Sequence, residues 1–380
     1  MKIAVPAEAD DTRVAATPET VKKFAALGAA VTVQSGAGTQ SRITDADYEA
    51  AGAKIAPDAA TTVLDADIIL KVRRPTEPEL KSYKAGALVV ATMDPYGNEA
   101  ALKAMDAAGV SAFAMELMPR ITRAQSMDVL SSQANLAGYQ AVIDAAASYD
   151  RALPMMMTAA GTVPAARVFV MGAGVAGLQA IATARRLGAV VTATDVRPAA
   201  KEQVESLGAK FIAVEDDEFK QAETAAGYAK PMSAEYQAKQ AALVAEHIKK
   251  QDIVITTALI PGRPAPKLVS AAMVASMKPG SVLVDLAVER GGNVEGAKAG
   301  EVVTTANGAR IVGYANVPGR IAASSSALYA RNLYTFVETL IDKAAKKIAV
   351  AWDDELVKAT NLTRDGKVVH PAFAGEGAKA

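Results

Sequence analysis

Short apolar runs alternate with amphipathic segments through the first third of the chain. Mostly apolar runs of three to five residues, the length of buried strands, occur at 2–5, 31–33, 68–72, 88–91 and 111–115. Helical periodicity predicts helices near 17–27, 45–51 and 99–108. Strands that alternate with helices form parallel sheets with crossover helices, so this region is predicted to be an α/β domain.

The same alternation restarts beyond residue 167. Strands are predicted at 168–171, 210–214, 253–256, 282–286 and 311–313, and a helix at 176–187. Gly28 and Gly188 each end a predicted helix directly before a strand, which indicates two halves built alike. Long amphipathic segments at 133–149 and 326–348 are expected to be the helices that connect them.

We therefore predict an α/β fold of two Rossmann-like domains with parallel sheets, separated by a cleft and joined by long helices. The first domain is expected to be discontinuous, comprising residues 1–130 and 320–380. The second is expected to comprise residues 131–319 and to bind a dinucleotide. The corresponding turn of the first half, at 5–11, has no glycine triplet, so no dinucleotide is expected there.

Composition excludes several classes of function. The 41 basic and 41 acidic side chains cancel without forming blocks, so no nucleic-acid partner is expected. There is no cysteine, and His247 and His370 are the only histidines, so neither thiol catalysis nor a metal site is predicted. The most apolar stretch, 168–184, contains three glycines and favours a strand, turn and helix over a membrane span. With no signal peptide, the expected location is the cytosol.

The strongest motif lies directly after the predicted strand 168–171. Gly172 suits a tight turn, Gly174 lets the backbone approach a pyrophosphate, and Gly177 lets helix and sheet pack closely. The start of the following helix, with Val175 and Ala176, supplies N–H groups to an anion. This context predicts a dinucleotide-binding turn, whereas the alternative is a glycine turn that serves packing alone.

An acidic residue stands at the end of the next predicted strand. Asp195 is expected to accept hydrogen bonds from the adenosine ribose and, through its charge, to select NAD over NADP. Val196 and Arg197 are predicted to complete the adenosine end of the site. Arg197 is near enough to hold a 2′-phosphate, but a solvated side chain is the simpler interpretation.

Two polar segments interrupt the pattern. The loop 119–128 is either a solvated connection or a loop directed at a cofactor or partner. The insertion 216–236 is too long for an ordinary connection in a compact domain, and is either a functional lid or a solvated insertion.

The loop 119–128 carries a resemblance to a known family. Arg120, Gln125 and Asp128, with Gly138-Tyr139 further on, look like the signature of the NAD(H)-binding subunit of proton-translocating nicotinamide nucleotide transhydrogenase. The resemblance runs along nearly the whole chain and includes the segments 131–133, 155–162, 172–177, 257–262, 284–287 and 316–319.

The resemblance implies roles for residues of this chain. Gln125 would contact the nicotinamide, Arg120 and Asp128 would hold the loop and the pyrophosphate or ribose side, and Ser131 and Tyr139 would support them. It also implies that the insertion is a mobile loop over bound nucleotide. The further residues that it assigns to the bound nucleotide are Tyr228, Met232, Ala258 and Leu259.

Alanine dehydrogenases share the fold and many of these segments, so the two activities must be distinguished by the side chains that each reaction needs. Amino-acid oxidation needs proton transfer. In alanine dehydrogenases a catalytic histidine performs it, and this histidine follows shortly after the strand that corresponds to residues 88–91 of this chain. This chain has Thr92-Met93-Asp94 there, and both histidines are expected to be structural or solvated. Arg13 and Lys71 resemble the substrate-carboxylate positions of alanine dehydrogenase, and Glu289 stands where that enzyme carries a catalytic Asp. All three are interpreted as remnants or cleft-lining groups.

The resemblance therefore implies an oxidoreductase that binds NADH and passes hydride directly to NADP⁺ bound by a partner subunit, not by this chain. It implies a homodimer that associates peripherally with the inner membrane through a membrane-spanning subunit, with proton translocation coupled there. Such membrane segments are expected on another chain or outside the sequence given. An alanine dehydrogenase-like enzyme and a non-catalytic NAD-binding module stay as alternatives.

Overall fold

The structure is a computed structural model that describes residues 1–222, 232–260 and 262–374. The chain divides into two compact units, the first formed by Met1–Gln133 with Pro318–Ala380 and the second by Ala134–Val317. No helix among the described residues is long and apolar enough to cross a bilayer.

The first stretch of the chain alternates strands and helices. Its elements are β1 (Lys2–Val5), α1 (Pro18–Ala26), β2 (Ala30–Gln34), α2 (Asp45–Ala50), β3 (Lys54–Ala56), α3 (Ala59–Val63), β4 (Ile68–Arg73), α4 (Glu77–Leu80), β5 (Leu88–Thr92), α5 (Glu99–Ala107), β6 (Ser111–Ala114), 3-10 turns at Thr39–Ser41, Met115–Leu117 and Thr122–Met127, and α6 (Val129–Ser148).

The middle stretch repeats the alternation. Its elements are β7 (Met156–Thr158), β8 (Gly161–Val163), β9 (Arg167–Met171), α7 (Val175–Arg186), β10 (Val190–Thr194), α8 (Ala200–Ser206), β11 (Lys210–Phe211), α9 (Asp217–Lys220), α10 (Ala234–Ile248), β12 (Ile253–Thr256), α11 (Ala271–Ala275), β13 (Val282–Asp285), β14 (Val302–Thr304), β15 (Arg310–Val312), and 3-10 turns at Val288–Arg290 and Val317–Ile321.

The last stretch returns to the first unit. Its elements are α12 (Ala322–Glu338), β16 (Ile341–Asp342), β17 (Lys347–Ile348), α13 (Glu355–Thr360), β18 (Asn361–Arg364) and β19 (Lys367–Val368).

Both main sheets have the doubly wound order. Among the described residues, the sheet of the first unit runs β3-β2-β1-β4-β5-β6-β18-β19, with β1 to β6 parallel. The sheet of the second unit runs β11-β10-β9-β12-β13-β15-β14, and its edge strand β14 is antiparallel. The strands read as continuous buried runs, as in Ile253–Thr256, because helices cover both faces. The predicted α/β fold with two parallel-dominated sheets is confirmed.

In each unit the strand order reverses between the first strand and the fourth. In the first unit, Ile3 of β1 is in register with Val31 of β2 and with Ile68 of β4. In the second unit, Val168 of β9 is in register with Val191 of β10 and with Ile253 of β12. We call these places the first and second switch points, because chain connections leave them in opposite directions and ligands bind there in open α/β sheets.

The predicted helix 326–348 is wrong in its second half. Helix α12 ends at Glu338, and the chain continues as the short antiparallel hairpin β16–β17. Asp342 accepts the N–H groups of Ala344 and Ala345, at 2.9 Å each, and so holds a turn that a helix does not contain. The apolar periodicity alone did not reveal this stop.

Candidate functional site

Two of the three glycines after β9 are required by the protein itself. Gly172 has φ of +104°, and a Cβ there would lie 2.5 Å from the Thr257 hydroxyl. A Cβ on Gly177 would lie 1.8 Å from the Gly172 carbonyl oxygen. These positions therefore need glycine for the turn and for the close packing of α7 on the sheet.

Gly174 differs, because no atom of the protein requires it. It is exposed, its backbone is extended, and a Cβ there would meet nothing within 4 Å. It is the N-cap of α7, without a side-chain capping bond, so the N–H groups of the first turn have no partner within the helix. Together with exposed Val175, this turn leaves a cradle that fits the pyrophosphate of a dinucleotide.

Helix α6 packs against this turn through another glycine. A Cβ on Gly138 would lie 2.0 Å from the carbonyl oxygen of Ala176, so the helix could not approach α7 with any other residue. Tyr139, the next residue, is 41% exposed. Close packing of the two helices therefore explains the glycine of the Gly138-Tyr139 pair.

Asp195, at the end of β10, is already fully hydrogen-bonded. Its carboxylate accepts the N–H of Ala173 at 2.7 Å, the N–H of Arg197 at 2.9 Å, and the Arg197 guanidinium through Nε at 2.9 Å and Nη2 at 3.0 Å. The expectation of a solvated Arg197 is wrong, because its side chain is ion-paired with Asp195 and 29% exposed. Val196, between them, is 50% exposed.

The loop after β12 completes the second switch point. The Thr257 hydroxyl donates to the carbonyl of Gly172 at 3.1 Å, which links this loop to the glycine turn. Ala258 is half-buried, and Leu259 is 52% exposed.

Asn293, which was not predicted from the sequence, holds this loop. Its side chain is buried and pairs with both the N–H and the carbonyl of Ala258, at 3.0 and 2.9 Å, and donates to Pro266 at 2.8 Å. The two glycines before Asn293 were the one available signal of a tight turn.

The loop 119–128 belongs to the first unit and is anchored from beneath. Ala124 and Met127 are buried in the core of that unit, whereas Arg120 and Gln125 are exposed. Gln125 lies on the 3-10 turn Thr122–Met127.

Contacts with side chains outside this loop keep it in place. Arg123 makes a two-pronged contact with Asp354, at 2.8 and 2.9 Å. Asn332 of α12, also not predicted from the sequence, donates to the carbonyl of Ser126 at 2.8 Å. These contacts fix the backbone on both sides of Gln125.

Asp128 and Ser131 are bonded to each other. The Asp128 carboxylate accepts the N–H and the hydroxyl of Ser131, at 2.8 and 2.5 Å. Asp128 therefore caps the start of α6, and the Ser131 hydroxyl is committed to it. In this structure both residues hold the loop in place.

The first switch point is filled by charged side chains of the protein. Lys71, which is 2% exposed, contacts the carboxylates of Glu79 at 2.7 Å and Glu8 at 3.3 Å. Arg13 and Arg73 both contact Asp11, at 2.7 and 2.8 Å. We call these six residues the ionic network.

The ionic network shifts the pKa values of its acids in opposite directions. Burial alone would raise the pKa of Asp11, but the hydrogen bonds and charges of Arg13 and Arg73 outweigh it and lower that pKa to about 2. Burial raises the pKa of Glu8 despite the nearby charge of Lys71. The cations that match substrate-site positions of alanine dehydrogenase are thus neutralised internally.

The loop after β5 carries no histidine and is held as a rigid turn. Glu116 accepts the N–H groups of Met93, at 2.8 Å, and of Asp94, whose φ is +48°. Arg74 donates to the carbonyls of both residues. Burial raises the pKa of Glu116, yet its carboxylate is occupied by these N–H groups.

Both histidines are structural, as expected. His247 bonds to the Thr192 hydroxyl at 2.9 Å and packs edge-on against Phe169, and its burial lowers its pKa. His370 contacts the carbonyl of Ala359 at 3.2 Å, and burial lowers its pKa as well.

The remaining predicted residues have separate surroundings. Met232 packs, partly buried, on the core of the second unit, and Tyr228 lies outside the described residues. Glu289 accepts the N–H of Asn316 at 2.9 Å and is exposed.

The second unit, with its switch-point glycine turn and open cradle, is a Rossmann domain of the NAD-binding dehydrogenase class. Family models agree: "Alanine dehydrogenase/PNT, N-terminal domain" matches residues 4–137, and "Alanine dehydrogenase/PNT, C-terminal domain" matches residues 141–371.

Individual relatives sharpen the assignment. The chain is 54% identical to the first part of NAD(P) transhydrogenase subunit alpha of Rhodospirillum rubrum, over the full length of both chains. It is similar to the crystal structure of transhydrogenase from Sinorhizobium meliloti, with TM-score 0.89, 66% identity, and coverage of 97% of this chain and 100% of that one. Alanine dehydrogenase of Halomonas elongata is 33% identical, covering 98% of this chain and 96% of the relative. The chain therefore belongs to the alanine dehydrogenase/PNT family, where the NAD(P) transhydrogenase alpha subunits are its nearer relatives and the alanine dehydrogenases more distant ones.

Proposed function

We propose that this chain is the NAD(H)-binding component of a proton-translocating transhydrogenase, and that it delivers hydride from NADH to NADP⁺ held by a partner subunit. The observation that carries the proposal is the cradle at Gly174, an exposed glycine that packing does not explain but close approach of a pyrophosphate does. The higher identity to transhydrogenase alpha subunits than to alanine dehydrogenase supports it.

The chemistry of the first unit favours this function over amino-acid oxidation. Bound NADH supplies the hydride, and transfer between two nicotinamides moves no proton at the reacting carbon. Groups that would handle a proton or a substrate carboxylate in alanine dehydrogenase are absent or engaged: the turn after β5 lacks a histidine, and Arg13 and Lys71 are paired with internal carboxylates. What remains for the protein is positioning and exclusion of water.

We assign the positioning role to the loop 119–128. Gln125, an exposed neutral amide on an anchored turn, would contact the nicotinamide as donor and acceptor. Asp128 and Ser131 would act by holding the start of α6, and Arg120 and Tyr139 would contact the cofactor from exposed positions.

The rest of the nucleotide would bind along the second switch point. The pyrophosphate would meet the first turn of α7, and Asp195 would accept hydrogen bonds from the adenosine ribose. The residues proposed to line this region are Gly172, Gly174, Val175, Ala176, Gly177, Asp195, Val196, Arg197, Ala258 and Leu259.

We also propose a homodimer that works with an NADP(H)-binding subunit and, through it, with a membrane-spanning subunit that couples transfer to proton movement. The hairpin β7–β8 supports self-association, since Met156 and Met157 of β7 are 46% and 72% exposed and Met155, directly before the strand, is 61% exposed. Met157→Lys should shift the sedimentation coefficient toward the monomer. Leu64→Lys, at a site 64% exposed in the first unit, is the control.

The central test follows deuterium from labelled NADH into NADP⁺, with the chain alone and with the NADP(H)-binding subunit of a transhydrogenase relative. We expect label in NADPH only in the mixture. Alanine-dependent reduction of NAD⁺ by the chain alone would instead establish the amino-acid dehydrogenase. NADH binding without transfer to NADP⁺ or oxidation of alanine, with a partner proven active with its own subunit, would favour the non-catalytic module.

The role of Gln125 is tested by Gln125→Asn in the same mixture. The shorter side chain withdraws the amide, so the rate of transfer should fall roughly tenfold or more while NADH affinity changes little. A large loss of NADH affinity with an unchanged rate would contradict the assignment.

A further inference from the structure

The pairing of Asp195 with Arg197 has a consequence for nucleotide selectivity. A carboxylate offers about four acceptor positions, and all four on Asp195 are filled, two by main-chain N–H groups and two by the Arg197 guanidinium. The main-chain donors are fixed by the glycine turn and by the strand end. A ribose hydroxyl that bonds to Asp195 must therefore replace a guanidinium contact.

The same pairing determines where the arginine is kept. Arg197 stands two residues beyond Asp195, and the two contacts to Nε and Nη2 hold its guanidinium against the carboxylate that would meet the ribose. The guanidinium geometry suits two-pronged binding of a phosphate as well as of a carboxylate. If Asp195 meets the ribose, the charge of the adjacent guanidinium is within reach of a 2′-phosphate, but Asp195 both neutralises that charge and repels the phosphate.

We propose that Arg197 is a latent 2′-phosphate ligand, so that Asp195 discriminates against NADP(H) in two ways: its charge repels the 2′-phosphate, and its contacts keep the Arg197 guanidinium from binding that phosphate. The inference rests on the proposed NAD(H) site. It requires that removing the Asp195 charge does more than relieve repulsion: the released guanidinium should actively bind the 2′-phosphate.

The test is a double-mutant cycle read by calorimetric binding. Asp195→Asn is chosen because its amide oxygen still accepts the N–H of Ala173, while its NH₂ group no longer attracts the guanidinium. Arg197→Met keeps an unbranched apolar stem. The probes are adenosine 2′,5′-bisphosphate and 5′-AMP, which differ only by the 2′-phosphate, and then NADPH and NADH.

We expect D195N to bind adenosine 2′,5′-bisphosphate more tightly than the wild-type chain by roughly tenfold or more, the size of one charge-assisted contact. The double variant D195N/R197M should lose that gain. R197M alone should still reject NADPH, because Asp195 keeps its charge and goes on repelling the 2′-phosphate. The gain in D195N should weaken as salt increases.

Equal affinities of D195N and D195N/R197M for adenosine 2′,5′-bisphosphate would overturn the proposal, since relief of repulsion would then account for the whole effect. A wild-type preference that collapses in R197M alone would also overturn it. Asp195→Ser is measured alongside, and melting curves verify that each variant is folded. Because the readout is binding, failure here leaves the labelled-hydride experiment unaffected, and failure of hydride transfer leaves this cycle interpretable.

Discussion

The two switch points occupy the same place in sheets whose first five strands follow the same order, yet different chemical groups line them. The second is lined by glycines and main-chain N–H groups, with Gly174 open to solvent. The first is closed by the ionic network, in which Lys71 is 2% exposed and the Asp11 side chain is fully buried. One place is open to an external anion, and the other holds carboxylates of the protein itself.

The difference shows how one topology serves two purposes. In doubly wound sheets, a crevice at the carboxyl ends of the strands is available in every copy. Whether it binds a ligand depends on a few side chains in the turn after the first strand. Glycine leaves room and exposes N–H donors, whereas Glu8 and Asp11 neutralise the cations of the fourth strand.

The largest effect should come from opening the ionic network. Lys71→Met leaves Glu8 and Glu79 without their cation in a buried place, and we expect the free energy of unfolding to fall by about 3–5 kcal/mol. Urea titration measures it. Lys84→Met, which removes a cation from the more exposed pair with Asp67, is the matched control and should change stability little. Similar losses in both variants would mean that burial of the network does not matter.

Two glycine substitutions at the second switch point should have different effects, one on stability and the other on NADH binding. Gly177→Ala places a Cβ 1.8 Å from a carbonyl oxygen, so we expect the free energy of unfolding to fall by roughly 2–3 kcal/mol. Gly174→Ala should leave the melting temperature nearly unchanged and weaken NADH binding, because its Cβ fills the cradle. Unchanged NADH affinity in Gly174→Ala would remove the cradle as the pyrophosphate site.

The smallest expected effect is a change in the pH dependence of stability, and it arises at the first switch point. The folded chain holds the pKa of Asp11 at about 2, below its ordinary 3.8, so its contribution to stability is present above pH 4 and lost as pH falls toward 2. That contribution is about 2 kcal/mol. The difference in unfolding free energy between the wild type and Asp11→Asn should therefore shrink over this range. Glu8, whose raised pKa acts in the opposite sense, is present in both proteins. Parallel pH profiles would contradict the prediction.

Much of the fold followed from local patterns. The strand predicted at 253–256 has those bounds in the structure, and the other predicted strands of the sheet cores were identified by the same buried apolar runs. The antiparallel strand Asn361–Arg364 was not predicted, because its sequence is polar and its stability comes from elsewhere in the chain. Thr363 donates to the carbonyl of Val110, and Asn361 to that of Ala112.

The site residues divide in the same way. The turn containing Gly172 and Gly177 was recognisable because Gly172 needs its positive φ and a Cβ on Gly177 would meet the carbonyl of Gly172, so both requirements arise within the motif. Asn293 and Asn332 were missed, because the glycines before Asn293 indicate only a tight turn and nothing near Asn332 in the sequence indicates that its amide holds a loop.

The sequence by itself determined the alternation of strands and helices and the glycine turn after β9, because both depend on residues a few positions apart. The tertiary structure decided which charged side chains pair with each other. Which carboxylate faces Lys71, and whether Arg197 meets solvent or Asp195, depends on which strand ends and turns come together and on how much water reaches them. Ion pairs depend on which residues are close in the folded chain, whereas the composition shows only that positive and negative side chains are equal in number.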